Sequence, residues 1–213
     1  MPRLDVQVKV CGITRITDAA LAVELGASAV GFIFWPTSPR FIDPFRARAI
    51  AKTLPAFVTP VGVFVDQPLE YVEGVASLVR LGAVQLHGSE TAEYCRQVTR
   101  PVIKAIPEPF DLSRLDGMSL QITLLLDVHD PARRGGTGRT VDWSAASRIA
   151  ATRRAILSGG LNPANIAKAI ATVQPYGIDV SSGVESSPGI KDESKLKAFF
   201  DALRGASTQK AIS

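Results

Sequence analysis

Short apolar runs alternate with amphipathic stretches along nearly the whole chain. The runs are Val6 to Cys11, Ala29 to Trp35, Pro60 to Val65, Ala83 to His87, Val102 to Ile106, Thr123 to Val128, Ala155 to Ser158 and Gly177 to Ser181. Each is short and rich in Val, Ile, Leu or Phe, the pattern of parallel strands covered on both faces. The stretches between them carry helical spacing. Thr17 to Leu25 begins on capping-type residues and ends before Gly26, and Pro68 to Leu81 ends before Gly82. Both helix-to-strand joints read Leu-Gly-Ala, as a repeated βα unit would. Asn162 followed by Pro163 marks another helix start, a cap residue with Pro at the first helical position. Glu108 to Gln121, punctuated by Pro107 and Pro109, predicts at most a short helix. A final helix is expected from Asp192 to Leu203, and Gly205 to Ser213 shows no periodicity, as in a frayed, disordered tail.

Eight strand–helix units in about 200 residues predict an α/β fold, one (β/α)8 TIM barrel over residues 1–204. The glycine clusters after its last three strands make the expected barrel one of the phosphate-binding type. The alternative is a doubly wound open sheet. Against it, the first strand leads into Cys11-Gly12-Ile13-Thr14-Arg15 and not a Gly-x-Gly-x-x-Gly dinucleotide turn.

A barrel changes the meaning of two distant residues. Cys11 and Asp127 each close an apolar run, and a barrel gathers all strand C-termini on one face. A carboxylate there is costly to bury, and burial favours its protonated form, as a general acid requires. Cys11 alone reads more readily as a small buried hydrophobe. Gln85 and His87 lie two apart on one strand and share a face, as do Asp179 and Ser181. Glycine clusters follow the last three strands: Gly135-Gly136-Thr137-Gly138, Ser158-Gly159-Gly160 and Ser181-Ser182-Gly183. They turn backbone N–H groups toward one point, which suits a phosphate. Arg40, in a loop stiffened by Pro36 and Pro39, offers a planar fork for a carboxylate.

Composition narrows the class further. The chain is 46% hydrophobic with a net charge of +4. Its basic residues are scattered, without the aromatic-interleaved stripe of a nucleic-acid binder. Two histidines without paired ligand spacing do not make a zinc site, and two cysteines make no disulfide framework. The N-terminus lacks a signal-peptide core and no run approaches the ~20 residues that span a bilayer. A cytoplasmic location follows, with no membrane or nucleic-acid partner. With no cofactor fingerprint either, the expected chemistry is proton transfer on a small phosphorylated molecule, by a monomer or homodimer, without metal or cofactor.

Taken in order, Val8-Lys9-Val10-Cys11-Gly12-Ile13-Thr14, Ser38-Pro39-Arg40, Val84-Gln85-Leu86-His87-Gly88, Leu125-Leu126-Asp127, Leu157-Ser158-Gly159-Gly160-Leu161 and Asp179-Val180-Ser181-Ser182-Gly183-Val184-Glu185 resemble the phosphoribosylanthranilate isomerases of tryptophan biosynthesis. The Lys-x-Cys-Gly-Ile-Thr and Asp-Val-Ser-Ser-Gly-Val-Glu pieces are the specific ones, whereas the Gly turns recur in other phosphate-binding barrels. The resemblance departs at Val128-His129-Asp130 and Arg133-Arg134. It implies an Amadori rearrangement with Asp127 as general acid and Cys11 as general base. Arg40 would hold the anthranilate carboxylate, the last two turns the phosphate, and Asp179 a ribose hydroxyl. Two rivals stand beside it: another ribulose-phosphate barrel enzyme, such as a lysine-dependent synthase drawing on Lys9 or Lys104, and a non-catalytic phosphometabolite binder.

Overall fold

A computed structural model describes residues 6–111, 113, 116–127 and 141–210, with the side chains of 207–210 set aside. Eight parallel strands close into a barrel in sequence order: β1 (Gln7–Cys11), β2 (Ala29–Ile33), β3 (Thr59–Phe64), β4 (Ala83–Leu86), β5 (Val102–Pro107), β6 (Thr123–Asp127), β7 (Ala155–Leu157) and β8 (Gly177–Val180). β8 closes on β1, with Lys9 opposite Asp179. Every run read as a strand is one, within two residues at each end. The expected end of β6 at Val128 lies outside the described residues.

The helices α1 (Ile16–Leu25), α2 (Pro44–Ala51), α3 (Leu69–Val79), α4 (Ala92–Gln97), α5 (Trp143–Ala150), α6 (Ile166–Val173) and α7 (Glu193–Lys210) surround the barrel. Gly26 ends α1 in a left-handed conformation at φ 113°, as its sequence predicts. In α3 the left-handed position falls on Arg80 instead, and Gly82 serves another need: a Cβ there would stand 2.9 Å from Thr59 Cγ2. Among the described residues between β5 and β6 there is no α-helix.

Two sequence expectations are corrected. The helix at Asn162 begins only at Ile166, because the Asn162 side chain accepts from Ala164 N and folds the segment into a turn. The C-terminal helix does not stop near Leu203 but continues through Gly205 to Lys210. Extending an established helix adds one hydrogen bond per residue, so one Gly, at about 1 kcal/mol, does not end it. Residues 211–213 lie outside the described residues.

Alternation along the strands sorts their side chains. Val8, Val10, Val30, Phe32, Phe64, Leu124 and Leu126 face outward into the layer shared with the helices. Val61, Ala83, Ile103, Ala105, Leu125 and Ile156 fill the barrel interior. That packed plug forms the floor beneath the C-terminal face. Among the described residues no helix is long and apolar enough to cross a membrane.

Candidate active site

Beyond this apolar floor several inward positions are polar, and they converge beside Ile33, Val63 and Val65. Cys11 from β1, Gln85 and His87 at the end of β4, Asp127 from β6, Ser158 after β7, and Asp179 and Ser181 at the end of β8 line one cleft. Trp35, Ser38 and Arg40 contribute from the loop after β2. Strand parity therefore resolves in favour of an inward orientation for Gln85, His87, Asp179 and Ser181.

Cys11 and Asp127 both face this cleft and are 5% exposed, so a thiol and a carboxylate more than a hundred positions apart line the same space. His87 Nε2 lies 3.3 Å from Asp127 Oδ2. On its other side, His87 Nδ1 is 3.0 Å from Gln85 Nε2. An amide nitrogen can only donate, so Nδ1 accepts and the ring proton sits on Nε2, toward Asp127. Gln85 Oε1 and Ser181 Oγ are buried without a partner among the described residues.

The surroundings of Cys11 are more charged than its sequence suggests. Lys9 Nζ donates to Asp179 Oδ1 at 2.9 Å, and Lys191 Nζ donates to the Cys11 carbonyl at 2.6 Å. Burial pushes the Cys11 thiol up from its ordinary value; Lys9 and Lys191 pull it down, and Asp179 adds to the rise. Desolvation thus opposes ionisation of the thiol, and the two lysines favour it.

Arg40 is held, not free. Its Nε and Nη2 donate to the Glu185 carboxylate at 3.0 and 2.7 Å, and Lys191 Nζ donates to the same carboxylate at 2.8 Å. Glu185 and Lys191 come from a small antiparallel hairpin after β8, β9 (Glu185–Ser187) and β10 (Ile190–Lys191). Sequence reasoning gave neither residue a role: strands of three and two residues show no periodicity. Gly12, at φ 75°, leaves room for the Arg40 stem, since a Cβ there would meet its Cδ at 2.7 Å.

The turns after β7 and β8 pack against each other. Gly159 and Gly160 take φ of 83° and 64°, conformations disfavoured for residues bearing a Cβ. The side chains of Asn162 and Asn165 both donate to the Gly160 carbonyl, at 3.1 and 3.0 Å. Ser182 and Gly183 open a short 3-10 turn ending at Val184. A side chain at Gly183 would run into the carbonyl of Leu161. Loops after strands seven and eight plus a short extra helix form the usual phosphate site of such barrels. Gly136, with the rest of Gly135–Gly138, lies outside the described residues.

A closed eight-stranded parallel barrel with a polar cleft at the C-terminal ends of its strands defines a (β/α)8 barrel. Comparison with known proteins makes this specific. Residues 8–202 match the family model described as N-(5'-phosphoribosyl)anthranilate (PRA) isomerase. The N-(5'-phosphoribosyl)anthranilate isomerase of Pelobacter propionicus is 47% identical over 92% of this chain and 94% of its own. The crystal structure of the Thermus thermophilus phosphoribosyl anthranilate isomerase superposes with a TM-score of 0.86 at 43% identity, covering 94% of this chain and 99% of that one. A further structure, a phosphoribosyl anthranilate isomerase in complex with reduced 1-(o-carboxyphenylamino)-1-deoxyribulose 5-phosphate, gives a TM-score of 0.83 at 44% identity, with coverages of 94% and 99%. The chain belongs to the phosphoribosylanthranilate isomerase family.

Proposed function

We propose that this chain carries out the isomerisation of N-(5'-phosphoribosyl)anthranilate in tryptophan biosynthesis with Asp127 as general acid and Cys11 as general base. The observation that supports the residue assignment most is that both side chains line one cleft, beside glycine-built turns after β7 and β8.

Asp127 gives its proton to the furanose ring oxygen as the C1–O bond opens, and the anilino nitrogen lone pair forms the C1=N iminium. The Cys11 thiolate then takes the C2 proton. The C–H electron pair becomes the C1=C2 bond of an enolamine, and the iminium pair returns to nitrogen. Protonation at C1 and loss of the enol proton give the ketone, 1-(2-carboxyphenylamino)-1-deoxyribulose 5-phosphate, and restore both groups. His87 Nε2–H is placed to donate a hydrogen bond to the Asp127 carboxylate that the first step leaves, stabilising its charge. Gln85 Oε1 and Ser181 Oγ receive sugar hydroxyls, and Asp179 contacts the ribose with the oxygen that Lys9 does not take. The Nη1–Nη2 edge of Arg40 holds the anthranilate carboxylate, and Gly159, Gly160, Ser182 and Gly183 hold the phosphate, joined by Gly136.

A lysine-dependent synthase is disfavoured by the position of Lys104. Its ammonium lies outside this cleft, bonded to the carbonyls of Leu86 and Gly88 and to Glu90. The Thermotoga maritima relative is described as a dimeric isomerase from which monomers were generated, and this chain is assigned as a monomer or homodimer acting in the cytoplasm.

Proton NMR in D2O with freshly made phosphoribosylanthranilate tests the reaction. Loss of the anomeric signal with ketone formation and solvent deuterium at C1 is expected. Substrate decay no faster than the spontaneous rate would overturn the assignment.

A further inference from the structure

Burial of Cys11 works against the role just given to it, because a thiol in a low-dielectric pocket resists ionisation. The geometry points to what offsets this, and the inference rests on Cys11 being the base. Lys9 lies two residues before Cys11 on β1, so both side chains point into the barrel. Opposite them on β2 stands Gly31, paired in register with Cys11. A Cβ on Gly31 would come within 2.8 Å of Cys11 Sγ and 3.0 Å of Lys9 Cε. The missing side chain thus leaves a space that the Cys11 thiol and the end of the Lys9 stem share. Lys9 is 4% exposed, and its partner Asp179 faces it across the seam where β8 closes on β1.

We propose that Lys9 is a positioning residue for the isomerisation: its buried ammonium, anchored by Asp179, is the counter-charge that lets Cys11 act as a thiolate. The thiol proton leaves to solvent, and Lys9 stays an ammonium throughout. Asp179 fixes the ammonium in place while its own charge opposes the thiolate, so the pair is a graded device and not a simple activator. The charged and titratable groups facing Cys11 are Lys9 on β1, Asp179 on β8 and Lys191 on β10, with Arg40, His87 and Asp127 elsewhere around the cleft. The positive charge of Lys9 favours the thiolate by more than the charge of Asp179 opposes it. Burial would lower Lys9, but the charge of Asp179, with that of the thiolate after it, holds the group above the ordinary lysine range.

The test is the pH titration of the Cys11 thiolate, followed by its ultraviolet absorbance and by alkylation with iodoacetamide. It is done on full-length protein carrying Cys95→Ala, so that one thiol reports. Lys9→Met keeps the length of the side chain and removes the charge. Its thiol is expected to titrate at least about one unit higher, leaving roughly tenfold less thiolate at a given pH. Alkylation slows by about three- to fourfold, because the more basic thiolate is intrinsically more nucleophilic. The basic limb of the kcat/KM profile moves in the same direction. A folded Lys9→Met protein whose thiol titrates at or below the parent value overturns the proposal. If that variant does not fold, Lys9→Met with Asp179→Asn removes the buried pair together, and its thiol is again expected above the parent. A titration at or below the parent there has the same negative meaning. The titration needs no substrate, so its failure is distinct from that of the base assignment, which falls if Cys11→Ala turns over normally.

Discussion

Glu185 holds Arg40 by two guanidinium nitrogens at once, through Nε and Nη2. The contact spans 145 positions of sequence and is almost wholly buried. A planar guanidinium held along one edge presents the other at a fixed angle, the arrangement that bidentate recognition of a carboxylate needs. Arg40→Ala is therefore expected to raise KM by roughly tenfold or more, with a smaller change in kcat, since charge-assisted hydrogen bonds contribute about 1.5–3 kcal/mol. Steady-state kinetics decide this. A fall confined to kcat would remove Arg40 from substrate binding.

The same carboxylate makes stability depend on acid. Burial would push Glu185 up, but the hydrogen bonds from Arg40 and the charge of Lys191 more than offset it and hold the group below its ordinary value. Its stabilising contribution is present above the unfolded value, about 4.3, and is lost as pH falls through the lower folded one. Urea midpoints should decline below about pH 4, and Glu185→Gln should flatten that decline. The substitution also leaves Lys191 and Arg40 buried without their anion, so a loss of about 3–5 kcal/mol at neutral pH is expected.

Most of the barrel is legible in the sequence because buried parallel strands leave long-lived marks: Val84-Gln85-Leu86 and Leu124-Leu125-Leu126 are short apolar runs whatever surrounds them. Convergence of Cys11 and Asp127 follows from the fold class alone. The pairing of Lys9 with Asp179 does not, because it depends on the register in which β8 closes on β1, and closure has no local signature. Nor does the hairpin carrying Glu185 and Lys191: Ser186-Ser187-Pro188-Gly189 reads as an ordinary turn. Asn162 and Asn165 were legible only as a helix start, since their grip on the Gly160 carbonyl is a tertiary contact.

The close approach of the last two turns is open to direct test. At Gly183 an added methyl meets the backbone carbonyl of Leu161, which cannot rotate away. Gly183→Ala should cost about 1–3 kcal/mol in overpacking and displace the 3-10 turn from the cradle. The checks are the thermal midpoint and competitive inhibition by inorganic phosphate, which should weaken along with KM. Unchanged phosphate inhibition in a folded variant would place the phosphate elsewhere.

Gly31 makes a parallel prediction on the chemical step. In Gly31→Ala, the new methyl occupies the space shared by Cys11 Sγ and Lys9 Cε. A displacement of about 1 Å at a reacting group can cost roughly 10² in rate, so kcat should fall far more than KM rises. Equal kcat in a stable variant would show that the thiol tolerates displacement, and with it that its placement is not used.

The central claim is that one acid and one thiol carry the proton transfers. The most direct measurement is steady-state turnover of phosphoribosylanthranilate by Asp127→Asn and Cys11→Ala, each compared with the unaltered protein. Each variant is expected to lose at least about 10² in kcat, the range typical of a general acid or base, with substrate affinity much less changed. Near-normal turnover in either variant would contradict the role assigned to that residue.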